Sequence, residues 1–252
     1  MPNDDAYDEL VGEAAAVPIN GWSFSWLDGR VSGSQPTWSY PDLARRLLRD
    51  CQRVLDIDTG GGELLASLAP LPKDTWATES WPPNVPVARA RLQPLGVTVV
   101  QTSDRAAALP VGDQKFDLLL NRHGHLHAAE AAEMLQPGGT LLTQQVGSDD
   151  CTELNEALGA PAAHEPGSWN LATAAEALTT AGFELDDTRQ EWPALTFYDI
   201  GAVVYHLRMV SWQVPDFTVD RYDGALRQLH ARIRRDGQLD VRAHRFLITA
   251  RL

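Results

Sequence analysis

Between residues 53 and 146, short apolar runs alternate with stretches of helical periodicity, the pattern of a parallel sheet whose strands are joined by crossover helices. Runs at about 53–58 (RVLDID), 74–79 (DTWATE), 96–101 (GVTVVQ), 116–121 (FDLLLN) and 139–146 (GTLLTQQV) predict strands. Helical spacing at about 62–69, 84–93 and 127–135 fills the gaps, the last stopped by Gln136-Pro137-Gly138. A helix at about 171–181 leads into a strand at 183–192 (FELDDTRQEW), and the closing VRAHRFLITARL predicts a final strand. About 45 residues separate these two strands, far more than a hairpin needs, and two helices are expected there. TFYDIGAVVYHLRMVSW puts Phe197, Ile200, Val204 and Leu207 on one face before a break at Pro215. Residues at about 221–235 put Leu226, Leu229 and Ile233 on one side and arginines on the other.

Upstream of the alternation, residues 1–17 are acidic and Ala-rich and read as a frayed helix or a mobile arm. Trp22, Phe24, Trp26, Trp38 and Tyr40 stand among Gly, Ser and Pro, and so many rings need a surface to bury against. Pro41, Leu43, Leu47 and Leu48, with Arg45, Arg46 and Arg49 interleaved, predict a short amphipathic helix ending before Arg53. No internal repeat, low-complexity tract or long Gly/Ser linker interrupts the chain, which favours one compact unit.

Charge narrows the function classes. The 252 residues carry 21 Lys+Arg against 34 Asp+Glu, a formal net charge of −13 that repels phosphate backbones and anionic lipid. Nucleic acid and membrane surfaces are therefore not the expected partners. The five arginines of 221–235 (Arg221, Arg227, Arg232, Arg234, Arg235) against Asp223 make a local basic face that would suit an anionic substrate or RNA, although such a pattern more often pairs with neighbouring acids. Cys51 and Cys151 form no CxxC, which leaves neither a disulfide framework nor a structural zinc site. The acidic start and the lack of a membrane-length apolar run read as a cytoplasmic chain.

The densest chemical signal is VLDIDTGGGE at 54–63: a strand, then Gly60-Gly61-Gly62, then a helix. Glycines there let the backbone approach a ligand, and the following helix start points N–H groups at it. Glu79 ends the next strand about 20 residues on, where a carboxylate can accept both hydroxyls of a ribose, and Asp104 follows the third strand.

In the order VLDIDTGGGE, ATES, SDRAAALPVGDQKFDLLLNRH and LQPGGTLLTQQVG, over about residues 50–147, the chain resembles the class I S-adenosylmethionine-dependent methyltransferases, and within them bacterial members with ATE, NRH and ITQQVG-like segments. The resemblance implies an α/β, Rossmann-like sheet of seven strands, mostly parallel with the last antiparallel, a helical insertion between the last two strands and an aromatic-rich N-terminal segment. It implies a single methyltransferase domain over 1–252, with a lid or arm at 1–50, a cofactor-binding core at 51–192, an insertion capping the substrate at 193–238 and the final strand at 239–252. The expected cofactor is S-adenosyl-L-methionine, with S-adenosyl-L-homocysteine as product. Asp56, Gly60 and Gly62 would shape the methionine pocket, Glu79 would hold the ribose, Trp81 would lie against adenine, and Asp104 would accept from the adenine amino group. Asn121 and Arg122 would sit beside the methyl sulfonium. The pattern D-x-G-x-G-x-G reads D-I-D-T-G-G-G here, so Asp58 replaces the first glycine, either crowding the amino-acid end or placing a carboxylate near its ammonium.

His123 is the candidate general base, because a histidine near neutrality can take a proton from a hydroxyl or ammonium as the methyl arrives. A role in fixing the loop is weighed equally with it. His123, His125 and His127 alternate without a standard metal spacing, and no metal is expected. Trp26, Tyr198 and Trp212 are candidate walls of an acceptor pocket, though aromatic residues at such spacing are more often packing. The expected activity is O- or N-methylation of a small molecule by a monomer or homodimer. The alternatives are methylation of an rRNA or tRNA base, and a cofactor-binding protein without methyl transfer.

Overall fold

The computed structural model describes residues 5–19, 22, 24–102 and 115–252. In chain order the strands are β1 (Val31–Gly33), β2 (Arg53–Ile57), β3 (Asp74–Glu79), β4 (Thr98–Gln101), β5 (Phe116–Arg122), β6 (Leu135–Val146), β7 (Glu184–Glu191), β8 (Ala194–Phe197), β9 (Leu239–Arg242) and β10 (Arg245–Arg251). The α-helices are α1 (Asp5–Ala16), α2 (Tyr40–Leu48), α3 (Glu63–Ser67), α4 (Asn84–Leu92), α5 (Ala128–Met134), α6 (Thr152–Leu158), α7 (Leu171–Thr180), α8 (Ile200–Met209) and α9 (Val219–Asp236). They form two compact units: residues 1–36, 148–168 and 192–244 make the first, and 37–147, 169–191 and 245–252 the second.

The second unit holds the seven-stranded sheet, in the order β4-β3-β2-β5-β6-β10-β7. β4, β3, β2, β5 and β6 run parallel, and β10 runs antiparallel to both β6 and β7. Alternation along the strands feeds two apolar layers, as the pleat requires. Val54, Leu118, Leu120 and Leu247 meet Ala44, Leu48, Leu65 and Leu92 on one face. Leu55, Leu119, Phe246 and Ile248 meet Ala131, Met134, Ala174 and Leu178 on the other. The chain leaves β2 toward β3 on one side and β5 lies on the other, so the sheet reverses its order at β2. At such a reversal the strand ends leave a crevice for a ligand.

The first unit corrects several sequence expectations. Residues 5–16 are neither frayed nor an arm: Tyr7, Val11 and Ala14 are buried in a core with Ile200, Val203 and Leu207 of α8. The expected helix from Thr196 begins only at Ile200, because Ala194–Phe197 pair with both β1 and β9 in a small antiparallel sheet. Asp199 ends that strand and caps α8, its carboxylate accepting from the Ala202 N–H at 2.8 Å. The closing segment is two strands in two sheets, not one: Leu239–Arg242 joins β8 and Arg245–Arg251 joins β6 and β7, with Ala243-His244 at the break. α9 follows its predicted face, burying Leu226, Leu229 and Ile233. Its arginines pair with acids, Arg221 with Asp216, Arg227 with Asp8 and Asp223, and Arg235 with Asp236. Among the described residues no helix is long and apolar enough to cross a membrane.

Candidate cofactor and acceptor site

At the carboxyl end of β2 the chain turns through Asp58, Gly60 and Gly62 with φ of 55°, 65° and 80°. Glycine adopts this left-handed region freely and aspartate tolerates it better than most residues. A Cβ on Gly62 would come within 2.7 Å of the Leu92 side chain, so glycine is also needed for α3 to pack on α4. α3 spans only five residues, and the cradle rests on the turn rather than on a long helix dipole. The Arg91 guanidinium straps it from outside, binding the Gly61 carbonyl and the Glu63 carboxylate.

Three carboxylates gather here. Asp56 on β2 is buried, and desolvation, reinforced by the charges of Asp58 and Glu79, pushes its pKa up to about 7. Glu79 at the end of β3 is 3% exposed, and burial likewise raises it above the ordinary carboxylate range. Its Oε1 accepts the Trp81 N–H at 2.7 Å, which fixes the carboxylate beside the half-buried indole. Asp58 turns toward the loop after β5, where its Oδ2 accepts the His125 N–H at 3.1 Å. Sequence reasoning saw in Asp58 a lost glycine; the structure shows a link between the glycine turn and the 123–125 loop. A desolvated group of acids suits a ligand carrying positive charge and hydroxyl donors. An S-adenosylmethionine sulfonium, ammonium and ribose present that chemistry, so the residues fit the cofactor. Asp104 lies outside the described residues.

Asn121, in register with Ile57, is wholly buried. Its Oδ1 accepts from Thr143 Oγ1 at 3.0 Å and Gln145 Nε2 at 2.5 Å, and its Nδ2 donates to the His125 carbonyl at 3.2 Å. The amide thus ties the His125 loop to Thr143 and Gln145 of β6. Arg122, the last residue of β5, and His123 after it are both exposed to water. His123 takes a φ of 65°, pinned by its N–H to the Gln144 carbonyl at 2.8 Å. Desolvation first, then the guanidinium groups of Arg122 and Arg245, hold its pKa well below 6.5, and the ring is neutral at pH 7. His125 and His127 meet edge to face at 5.1 Å; His127 precedes α5 without a side-chain cap bond.

Sequence reasoning missed Gln144 and Gln145 as functional residues, and gave Trp38 no role beyond burial. The available signal was a pair of adjacent glutamines, Gln144-Gln145, in a strand that the sheet pattern places at its buried centre, since buried amides require partners. Trp38 Nε1 donates to Gln144 Oε1 at 2.7 Å, and Gln144 Nε2 lies 2.9 Å from His123 Nε2. Tyr40 on the same segment is buried, with its hydroxyl donating to the Leu142 carbonyl at 3.3 Å and its pKa raised by that burial.

Trp26, Tyr198 and Trp212 lie in the first unit, and among the described residues no ring contact joins any two of them. Trp26 packs on Tyr205 at 5.0 Å and under the Arg30 guanidinium at 4.2 Å. Tyr198, 42% exposed, bonds Ser32 through its hydroxyl at 2.6 Å. Trp212 is 47% exposed and meets Trp22 edge to face at 5.5 Å.

A reversal of strand order at β2, a left-handed glycine turn and a buried acid at the tip of the neighbouring strand define a doubly wound α/β protein with a crevice at its strand ends, the place where such folds bind ligands. Residues 55–143 match the methyltransferase domain family. With the seven-stranded order, that match gives these residues the sheet and the domain signature of the methyltransferases they resemble. Among curated relatives, a ubiquinone biosynthesis O-methyltransferase of Cereibacter sphaeroides (strain ATCC 17029) is 32% identical over 108 residues, 40% of this chain and 44% of that one. The counterpart from Chelativorans sp. is 33% identical over 101 residues, 37% of this chain and 40% of its own. The chain thus spans less than half the length of these relatives. A candidate methyltransferase of Bacillus halodurans shares the fold at TM-score 0.59 and 20% identity, over 84% of this chain and 98% of that chain. A protein of unknown function from Deinococcus radiodurans does so at 0.60 and 17%, over 98% and 99%.

Proposed function

We propose that the protein transfers a methyl group from S-adenosyl-L-methionine to an oxygen or nitrogen of a small molecule, leaving S-adenosyl-L-homocysteine. The observation that carries this reading is the trio of acids, Asp56, Asp58 and Glu79, around a glycine turn in a methyltransferase domain. The cofactor supplies a methyl group already activated on a sulfonium, so the protein's work is binding, in-line positioning and exclusion of water. Glu79 accepts from the ribose hydroxyls, Gly60 and Gly62 let the backbone close on the ligand, and Asp56 and Asp58 favour its cationic end. Trp81 lies against adenine. Asn121 holds the loop that presents Arg122 and His123.

The names of the relatives support oxygen as the methylated atom. RNA as acceptor is not favoured, since the arginines of α9 that would greet phosphate are paired with acids. The protein is read as a cytoplasmic monomer or homodimer. Thermal melting tests the assignment: a native-state ligand at 100 times its Kd adds about 2.7 kcal/mol. S-adenosylhomocysteine is expected to raise the Tm and NAD to leave it. Glu79→Ala is expected to weaken S-adenosylhomocysteine by at least about tenfold, the loss of one charge-assisted hydrogen bond or more. A shift with NAD alone refutes the reading, and an unchanged Kd removes Glu79 from the site.

A further inference from the structure

The hydrogen-bond chain from Trp38 decides which nitrogen of His123 carries the proton. An indole N–H can only donate, so the Gln144 oxygen, 2.7 Å away, is its acceptor, and the amide orientation is fixed. The Gln144 NH2 group must then face His123 Nε2 at 2.9 Å, and that nitrogen accepts. The imidazole is left with its proton on Nδ1. A proton added to Nε2 would confront an N–H donor, and the guanidinium groups of Arg122 and Arg245 repel it further. Of the groups around this ring, Arg122 also feels Tyr40 and Asp56, whose ionised forms would favour its charge. The basic lone pair of His123 is therefore occupied and shielded, the opposite of what a general base needs. Among the described residues nothing accepts from Nδ1, and Arg122 has no carboxylate within ion-pair distance. Positive charge and an N–H donor meet at this one loop, in a chain of net charge −13.

Building on the methyltransferase reading above, we propose that His123 is a neutral Nδ1–H donor which, with Arg122, binds an acceptor whose oxygen is already anionic, a carboxylate or an acidic phenol. With such an acceptor, an oxygen lone pair forms the new O–C bond while the S–C bond breaks and its electron pair stays on sulfur as the thioether. No proton has to be removed, so no base is required. Asp58, Asn121, Gln144 and Gln145 serve as positioning residues by fixing the left-handed loop that presents the donor.

Two measurements test this. Nitrogen-15 NMR of the histidine rings, with His123 assigned by its loss in His123→Ala, is expected to show a pyrrole-type Nδ1 and a pyridine-type Nε2. That pattern should not titrate between about pH 6 and 8, the range in which an ordinary histidine does. Gln144→Glu replaces the donor by an acceptor and is expected to move the proton to Nε2 and restore titration. An Nε2–H tautomer, or titration in that range in the wild type, overturns the lock. Binding is then measured with the full chain in the presence of S-adenosylhomocysteine, using benzoate, 4-nitrophenol in its anionic form and catechol as probes. Benzoate and 4-nitrophenolate are expected to bind, at least about tenfold more weakly in Arg122→Gln, with catechol weaker in the wild type. Which of the two binds more tightly separates carboxylate from phenolate. Preference for catechol, or no binding of either anion, overturns the acceptor class. Loss of S-adenosylhomocysteine binding itself falls instead on the methyltransferase reading.

Discussion

Asp56 is the residue whose protonation ties stability to ligand binding. Its carboxyl titrates near 7 in the folded protein against an ordinary 3.8, chiefly because burial disfavours the ion. The unfolded chain therefore loses this proton first, and the native state is progressively disfavoured as pH rises from about 4 to about 7. A displacement of that size corresponds to a ceiling of roughly 4 kcal/mol. Asp56→Asn is expected to raise the Tm of the ligand-free protein more at about pH 8 than at about pH 5. A cation bound beside Asp56 works the other way and pulls the carboxyl into its ionised form. Titration calorimetry of S-adenosylmethionine at about pH 6, in buffers of different ionisation enthalpy, should record proton release from wild type and none from Asp56→Asn. Equal heats in all buffers would place the positive charge elsewhere. Gly124 makes a second residue-scale prediction. A Cβ there would lie 2.6 Å from the Asp58 Cβ and 3.0 Å from Asn121 Nδ2, both held by hydrogen-bonded neighbours. Gly124→Ala is expected to cost about 1–3 kcal/mol in urea unfolding, as overpacking does, and to lower kcat more than cofactor affinity.

At the scale of elements, the contact between α1 and α8 depends on a missing side chain. A Cβ on Gly201 would stand 2.7 Å from the Leu10 carbonyl oxygen, a backbone atom that cannot swing aside. Gly201→Ala is expected to lift α1 from α8 and cost about 1–3 kcal/mol by chemical denaturation. Gly12→Ala on α1 meets nothing within 4 Å and should instead add about 0.5–1 kcal/mol through helix propensity. None of this was legible in the sequence, because Gly201 reads as an ordinary small residue until Leu10 is brought to it. The parallel sheet was legible: strands buried on both faces read as apolar runs, unbroken at Leu118–Leu120 and interrupted only by Asp56 within Val54–Ile57. Strands β1, β8 and β9, of three or four residues each, lie below the length at which periodicity separates strand from helix, so Ala194–Phe197 merged into the helical pattern of α8. The site divides along the same line. Asp56, Gly60, Gly62 and Glu79 follow from local order around one turn, whereas the Trp38–Gln144–His123 chain joins residues 106 positions apart and leaves no local trace.

For the whole molecule, the chain path bears on how the two units unfold. The chain passes from one unit to the other between residues 36 and 37, 147 and 148, 168 and 169, 191 and 192, and 244 and 245. Each unit is thus assembled from three separate segments, and the ends of the middle segments of each are held by the other's fold. If the seven-stranded unit opens, its residues 37–147 and 169–191 become long flexible loops that the first unit must close, and their entropy opposes the small sheet. Unfolding of the second unit should therefore carry the first with it. The tryptophans allow a direct check, since Trp22, Trp26, Trp192 and Trp212 fall in the first unit and Trp38, Trp76, Trp81 and Trp169 in the second. Variants keeping only Trp26 or only Trp76 are expected to report the same urea midpoint. Although S-adenosylhomocysteine is assigned to the second unit alone, it is expected to raise both midpoints together, by about 2.7 kcal/mol of stability at 100 times its Kd. If the Trp76 transition moves while the Trp26 transition stays, the units unfold independently and their interleaved chain path does not couple them.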